Sequence, residues 1–99
     1  MIARQLSLHP AAVDEADAAA RWYHERSPRA AKRFVLELNH VIDKILDAPL
    51  RWPRGPHGTR KANLPCFPFS VIYWESPINI RILAVAHGHR RPGYWKDRQ

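Results

Sequence analysis

The last third of the chain gathers the residues with most chemical reach: Arg81, His87, His89, Arg90, Arg91, Tyr94 and Trp95, with Arg60 and Lys61 upstream. Guanidinium groups clamp phosphates, aromatic rings stack on bases, and imidazole moves protons near neutral pH. Such a set suits an RNA or nucleotide site. It suits a protein interface equally well, because Trp, Tyr and Arg dominate binding hot spots. His87-Gly88-His89 spaces two imidazoles as a metal pair would, yet no carboxylate or cysteine stands at a ligand-like spacing nearby, so no metal and no cofactor is expected. HExxH, Walker and GxSxG motifs are absent, which sets aside the common zinc-protease, NTPase and serine-hydrolase chemistries. Glu25, Glu37 and Glu75 form no obvious carboxylate pair, and His9, His24, His40 and His57 are scattered along the chain.

The charge distribution points to the same region. Residues 1–50 hold seven Lys/Arg and seven Asp/Glu, a balance of zero. Residues 51–99 hold nine Lys/Arg against Glu75 and Asp97, and nine minus two is the whole net charge of +7. This asymmetry implies a polyanionic partner: nucleic acid, a nucleic-acid machine or an acidic protein. Cys66 is the sole cysteine, which excludes an intrachain disulfide, fits a cytoplasmic protein and reads as a bystander. No apolar run approaches the roughly 18 residues that span a bilayer, and the first eight residues lack the apolar core of a secretory signal.

These residues need a scaffold, and 99 residues is the size of one domain, spanning residues 1–99. Residues 3–8 read as a short strand that His9-Pro10 breaks. Pro10 can open a helix over residues 10–25, with Val13, Ala16, Ala20 and Tyr23 at helical spacing and Asp14, Glu15 and Asp17 in or near its first turn. Ser27-Pro28 then reads as a cap and first residue of a second helix, residues 28–47. Its stripe is Phe34, Leu38, Ile42, Ile45 and Leu46, and Ala48-Pro49 ends it. Residues 49–58, rich in Pro and Gly, form a loop. Thr59–Leu64, Phe69–Glu75 and Ile78–His87 are strand candidates, and Ser76-Pro77 turns the chain between the last two. The expected fold is α+β in the order β-α-α-β-β-β, with an αα-hairpin on one face of a mostly antiparallel four-stranded sheet.

Alternation along the last strand sorts its side chains. Ile80, Ile82, Ala84 and Ala86 are expected to meet the helices. Arg81, Leu83, Val85 and His87 are expected on the helix-free face, with Arg60 and Lys61 on a neighbouring strand. Tyr94 and Trp95 then either present themselves to a partner or fold back to plug the open end of the sheet.

Several segments are familiar in this order: Ala19-Ala20-Arg21-Trp22-Tyr23, Ala31-x-x-Phe34, Ile42-x-x-Ile45, Phe67–Tyr73, Ile80–His87 and the ending Arg90-Arg91-Pro92-Gly93-Tyr94-Trp95. Together they resemble the RelE/ParE superfamily of toxins from bacterial type II toxin–antitoxin modules, and the ending is similar to ParE-like members. The resemblance implies the same β-α-α-β-β-β fold and one of two activities. ParE-like members poison DNA gyrase; RelE-like members are metal-independent, ribosome-dependent mRNA endonucleases. RelE-like enzymes carry an arginine just after the first aromatic residue of the strand matching Phe69–Tyr73, and Ser70 stands there in this chain. That departure removes a transition-state cation and favours the ParE-like reading. A nuclease would have to rely on Arg81, His87, His89, Arg90 and Tyr94. A gyrase-binding surface would draw on Arg60, Lys61, Arg81, His87, Arg90, Arg91, Tyr94 and Trp95. The resemblance also implies a hetero-oligomer with an acidic antitoxin, contacting Trp22, Tyr23, Phe34 and Leu38 and a free sheet edge. A third reading keeps the fold and the antitoxin without toxicity.

Overall fold

Proline begins both helices, because its missing N–H is one that a first turn leaves unpaired anyway. The computed structural model describes residues 4–98, so Ala3 and Gln99, at the ends of the expected strand and tail, lie outside it. Strand β1 is Gln5–Leu8, helix α1 is Pro10–Arg26 and helix α2 is Pro28–Asp47. Ser27 Oγ accepts from the Ala30 N–H at 3.2 Å, the expected cap. His9 caps α1 in the same way, its Nδ1 accepting from the Ala11 N–H at 3.0 Å. The first turn of α1 contains no acidic residue, so Asp14, Glu15 and Asp17 sit further along the helix than expected.

After a loop with one 3-10 turn at Pro56–Gly58 come β2 (Arg60–Asn63), β3 (Phe69–Glu75) and β4 (Asn79–His87). The sheet order is β1-β4-β3-β2. β3 runs antiparallel to both β2 and β4, and β1 joins parallel to β4. Ser76 closes the β3–β4 turn, its N–H bonding to Asn79 C=O at 2.8 Å.

Phe34, Ile45, Val71, Tyr73, Ile80 and Ile82 fill the layer between hairpin and sheet, and the Tyr73 hydroxyl donates to the Pro49 carbonyl. Buried positions on α2 are Ala31, Phe34, Leu38, Val41 and Ile45, while Leu46, expected in the stripe, is exposed. Phe34 and Leu38 are therefore core residues, which removes them from the expected antitoxin contacts.

The face assignment of β4 holds only for its first half. Ile72 pairs with Ala84 and Tyr73 with Ile82, so Leu83 is an extra residue at a β-bulge. A one-residue insertion reverses the parity of everything after it. Ile80 and Ile82 face the helices as expected, but Val85 joins them there, whereas Leu83, Ala84 and Ala86 turn to the opposite face. That face lacks helices yet is covered, because Trp95 packs on Ile72, Leu83, Ala84 and Ala86.

Phe34 is fully buried and Leu36 is 62% exposed on the same helix. Phe34→Ala is expected to cost about 3–5 kcal/mol in chemical denaturation, and Leu36→Ala to stay within about 0.5 kcal/mol.

Candidate functional site

The end of β4 and the turns that follow it build the site. Phe69 pairs with His87, and the Gly88 N–H bonds to Pro68 C=O at 2.8 Å, which fixes where the tail leaves the sheet. Successive turns follow, from Arg90 N–H to His87 C=O, Tyr94 N–H to Arg91 C=O and Lys96 N–H to Gly93 C=O. Gly93, at φ +75°, supplies the left-handed residue that folds the tail back onto the sheet. Trp95 is buried there, with the His57 ring edge-on at 5.9 Å.

One carboxylate ties this tail to α1. Glu15 takes a bidentate contact from Arg98, at 2.8 Å to Oε1 and 3.1 Å to Oε2. The Tyr94 hydroxyl donates to Oε2 at 2.7 Å, and the backbone N–H of Val85 to Oε1 at 3.0 Å. Arg98 also reaches the Leu83 carbonyl at 3.2 Å. Arg90 stacks over the Tyr94 ring at 4.1 Å and Arg98 at 4.9 Å. Burial opposes the Glu15 charge, but the bonds from Arg98, Tyr94 and Val85 outweigh it and hold the carboxyl below its ordinary range. Burial, then the hydrogen bond to Glu15, pushes the Tyr94 hydroxyl up to about 12.

The expected site residues part company. His87, Arg90 and Tyr94 come together as a ridge between two clefts. The helix-side cleft, about 540 Å³, is walled by Trp22 and Tyr23 and floored by Phe69 and Val85. The sheet-side cleft, about 490 Å³, has Lys61, Ser70, Ile72 and Arg91 around it. His87 thus sits on the helix side, contrary to the alternation, with the Phe69 ring edge-on at 5.0 Å; the bulge is the reason. Its Nδ1 accepts from the His89 N–H at 3.0 Å, which leaves the proton of a neutral ring on Nε2.

Arg81 is elsewhere. It lies opposite Trp74, donates to Ser7 Oγ at 3.2 Å, and stands six residues, roughly 20 Å of strand, from His87. Arg60 is engaged internally, with its Nε and Nη2 each 3.3 Å from Glu75 Oε1 and Nη1 on the Trp52 carbonyl. Arg54 completes that group at 2.6 Å from the same oxygen. Ser70 is buried and donates to Asn63 Oδ1 at 2.6 Å. Trp22 is 51% exposed, with the Arg26 guanidinium 3.6 Å above its ring. Among the described residues, no three His, Cys, Asp or Glu gather as metal ligands, and no helix is long and apolar enough to cross a membrane.

Sequence reasoning missed Glu15 and Arg98. A signal for Glu15 was present: it falls between Ala12 and Ala19 at i+3 and i+4 spacing, on the face of α1 that packs inward. A carboxylate on such a face requires a partner.

Compared with known families, residues 6–92 match the ParE toxin of the type II toxin–antitoxin system, parDE. The chain belongs to the ParE toxin family. No curated protein matches it significantly. A solved structure, the chromosomal ParDE TA system from P. aeruginosa, shares its fold at a TM-score of 0.69 and 19% identity, over 86% of this chain and 96% of that one. This ParE-family fold accounts for the helical hairpin on the mixed sheet. The family match stops at Pro92, so the tail anchors Tyr94, Trp95 and Arg98 lie beyond it.

All three tyrosines hold their protons above the ordinary value: burial and other causes push Tyr73 and Tyr94 up to about 12, and burial raises Tyr23. The unfolded chain then loses these protons first, so their stabilising contribution is complete below about pH 10 and disappears as pH rises toward 12. Tyrosinate absorbance is expected to rise together with unfolding in that window, and Tyr94→Phe to soften the loss of stability.

Proposed function

We propose that this ParE-family protein is a toxin that acts by binding DNA gyrase, and that a cognate acidic antitoxin neutralises it. The observation that carries this reading is the shortage of cations around the ridge: Arg81 leaves the nuclease set, while His87, His89, Arg90 and Tyr94 stay together. Cleaving RNA without a metal requires cations and an acid or base around one phosphate. Arg81 is far along β4, Arg60 is committed to Glu75, and Ser70 replaces the RelE-type arginine. What remains is a ridge of His87, Arg90 and Tyr94, with Arg91 and Lys61 exposed beside it. A cationic-aromatic ridge of this kind is a protein-binding surface before it is a catalyst. The ribosome-dependent nuclease remains the second reading, because His87 and Arg90 are adjacent and could serve as acid–base and cation.

The helix-side cleft supports a place for the antitoxin. Its apolar walls, exposed Trp22 and cationic rim of His87 and Arg90 suit an amphipathic acidic segment. Of the four residues expected there, Trp22 and Tyr23 remain accessible enough to take part. The exposed edge of β1 offers a second contact. Attraction to a chain of net charge +7 makes association fast and salt-sensitive.

Purified protein is expected to inhibit gyrase supercoiling while leaving mRNA intact in programmed ribosomes. Arg90→Ala with Arg91→Ala is expected to weaken inhibition roughly tenfold or more, the effect of losing a hot-spot residue. His87→Ala is expected to leave inhibition largely in place. Ribosome-dependent cutting that His87→Ala abolishes would reverse the assignment, and expression without growth arrest would point to a protein that keeps the fold without toxicity.

A further inference from the structure

Among the described residues, half of the outer edge of β4 has no strand beside it. β1 pairs with Asn79 through Ile82, and the His9 N–H takes the Ile82 carbonyl before the chain turns into α1. Beyond that point, Leu83 C=O and Val85 N–H are left without a ladder partner on this side. An open edge of this kind recruits water or a foreign strand. Here two side chains occupy it: Glu15 accepts from Val85 and Arg98 donates to Leu83. Glu15 and Arg98 are 83 positions apart in the chain and bind each other through two hydrogen bonds. Their side chains are 19% and 17% exposed, so the pair is largely withdrawn from solvent.

From this geometry we infer that Glu15 is the positioning residue of the basic ridge, holding residues 88–98 in the one pose that displays Arg90 beside His87. The inference rests on the reading of that ridge as the target-contacting surface. Three donors from two segments converge on this single carboxylate: Val85 on the sheet, and Tyr94 and Arg98 on the tail. Tyr94 in turn carries the Arg90 guanidinium on its ring, so the pose of Arg90 follows that of Tyr94. Gly93 adds no restraint of its own, since glycine adopts many backbone conformations once the tail is released. The three anchors Glu15, Tyr94 and Arg98 are therefore one unit, and two of them lie outside the span that matches the family.

Glu15→Gln tests this with nearly unchanged shape. A carboxamide has a single acceptor oxygen, and its NH2 would face N–H donors at the other position, so it cannot take both prongs of Arg98 together with the Val85 N–H and the Tyr94 hydroxyl. Amide hydrogen exchange in residues 88–98 is expected to quicken by about tenfold or more, as for the loss of a charge-assisted bond, while α2 and β3 keep their protection. Gyrase inhibition is expected to fall by a similar factor. Arg98→Lys keeps the charge without the fork and is expected to fall between wild type and Arg98→Ala in both readouts. That series carries the test if Glu15→Gln folds poorly. Ile42→Val, a mild truncation on α2, controls for general destabilisation and is expected to move neither. Unchanged exchange in the tail overturns the proposal, and so does faster exchange with full inhibition. A wild-type protein inert toward gyrase would instead sink the functional reading, while tail exchange in the variants still decides whether Glu15 is the anchor.

Discussion

At Leu83 the fourth strand carries one residue more than its partner, and the two faces of the sheet exchange occupants there. Before the bulge, Ile80 and Ile82 feed the core under the helices. After it, Val85 takes their place while Ala84 and Ala86 turn away. The small side chains of Ala84 and Ala86 leave room on the far face, and Trp95 fills it. His87 is carried round to the helix side, next to Trp22, Tyr23 and Phe69. Without the extra residue, His87 would open onto the other face and the tail would meet Val85 rather than two alanines. The position of the ridge, the burial of Trp95 and the existence of a cleft on each side all follow from that local change of parity.

The same region shows how a formal charge differs from an available one. Arg54 and Arg60 share Glu75, and Arg98 is paired with Glu15, so three of the cations that make the C-terminal half basic are engaged within the fold by two carboxylates. Arg60 anchors the loop before β2 by also binding the Trp52 carbonyl. The exposed remainder includes Lys61, Arg90, Arg91 and Lys96. Lys61, Arg90 and Arg91 border one cleft, so the field that a partner meets is narrower and more directed than the composition suggests.

The ridge also borders both clefts. Arg90, Tyr94 and His87 line the apolar cleft and the basic one alike. Trp22 and Tyr23 share the first cleft with the residues proposed to meet the target.

Much of this protein was determined by short-range rules. Pro10, and Pro28 behind its Ser27 cap, begin helices because local backbone chemistry demands it, and the aromatic and β-branched runs at 69–75 and 79–87 pair as strands for equally local reasons. Element order, the mostly antiparallel sheet and the basic C-terminal half were legible for that reason. Tertiary structure alone decided the parity of His87, because a single inserted residue leaves no trace in alternation of apolar side chains such as Leu83-Ala84-Val85. It alone separated Phe34 and Leu38, which the sheet covers as the stripe implied, from Leu46 of the same stripe, which stays exposed. It also decided that Arg60 would be held and Arg90 displayed, because whether a cation finds a carboxylate depends on neighbours brought in from distant segments. Glu15 and Arg98 meet only once β4, α1 and the tail are in register, and it is that encounter which gives the ridge its shape.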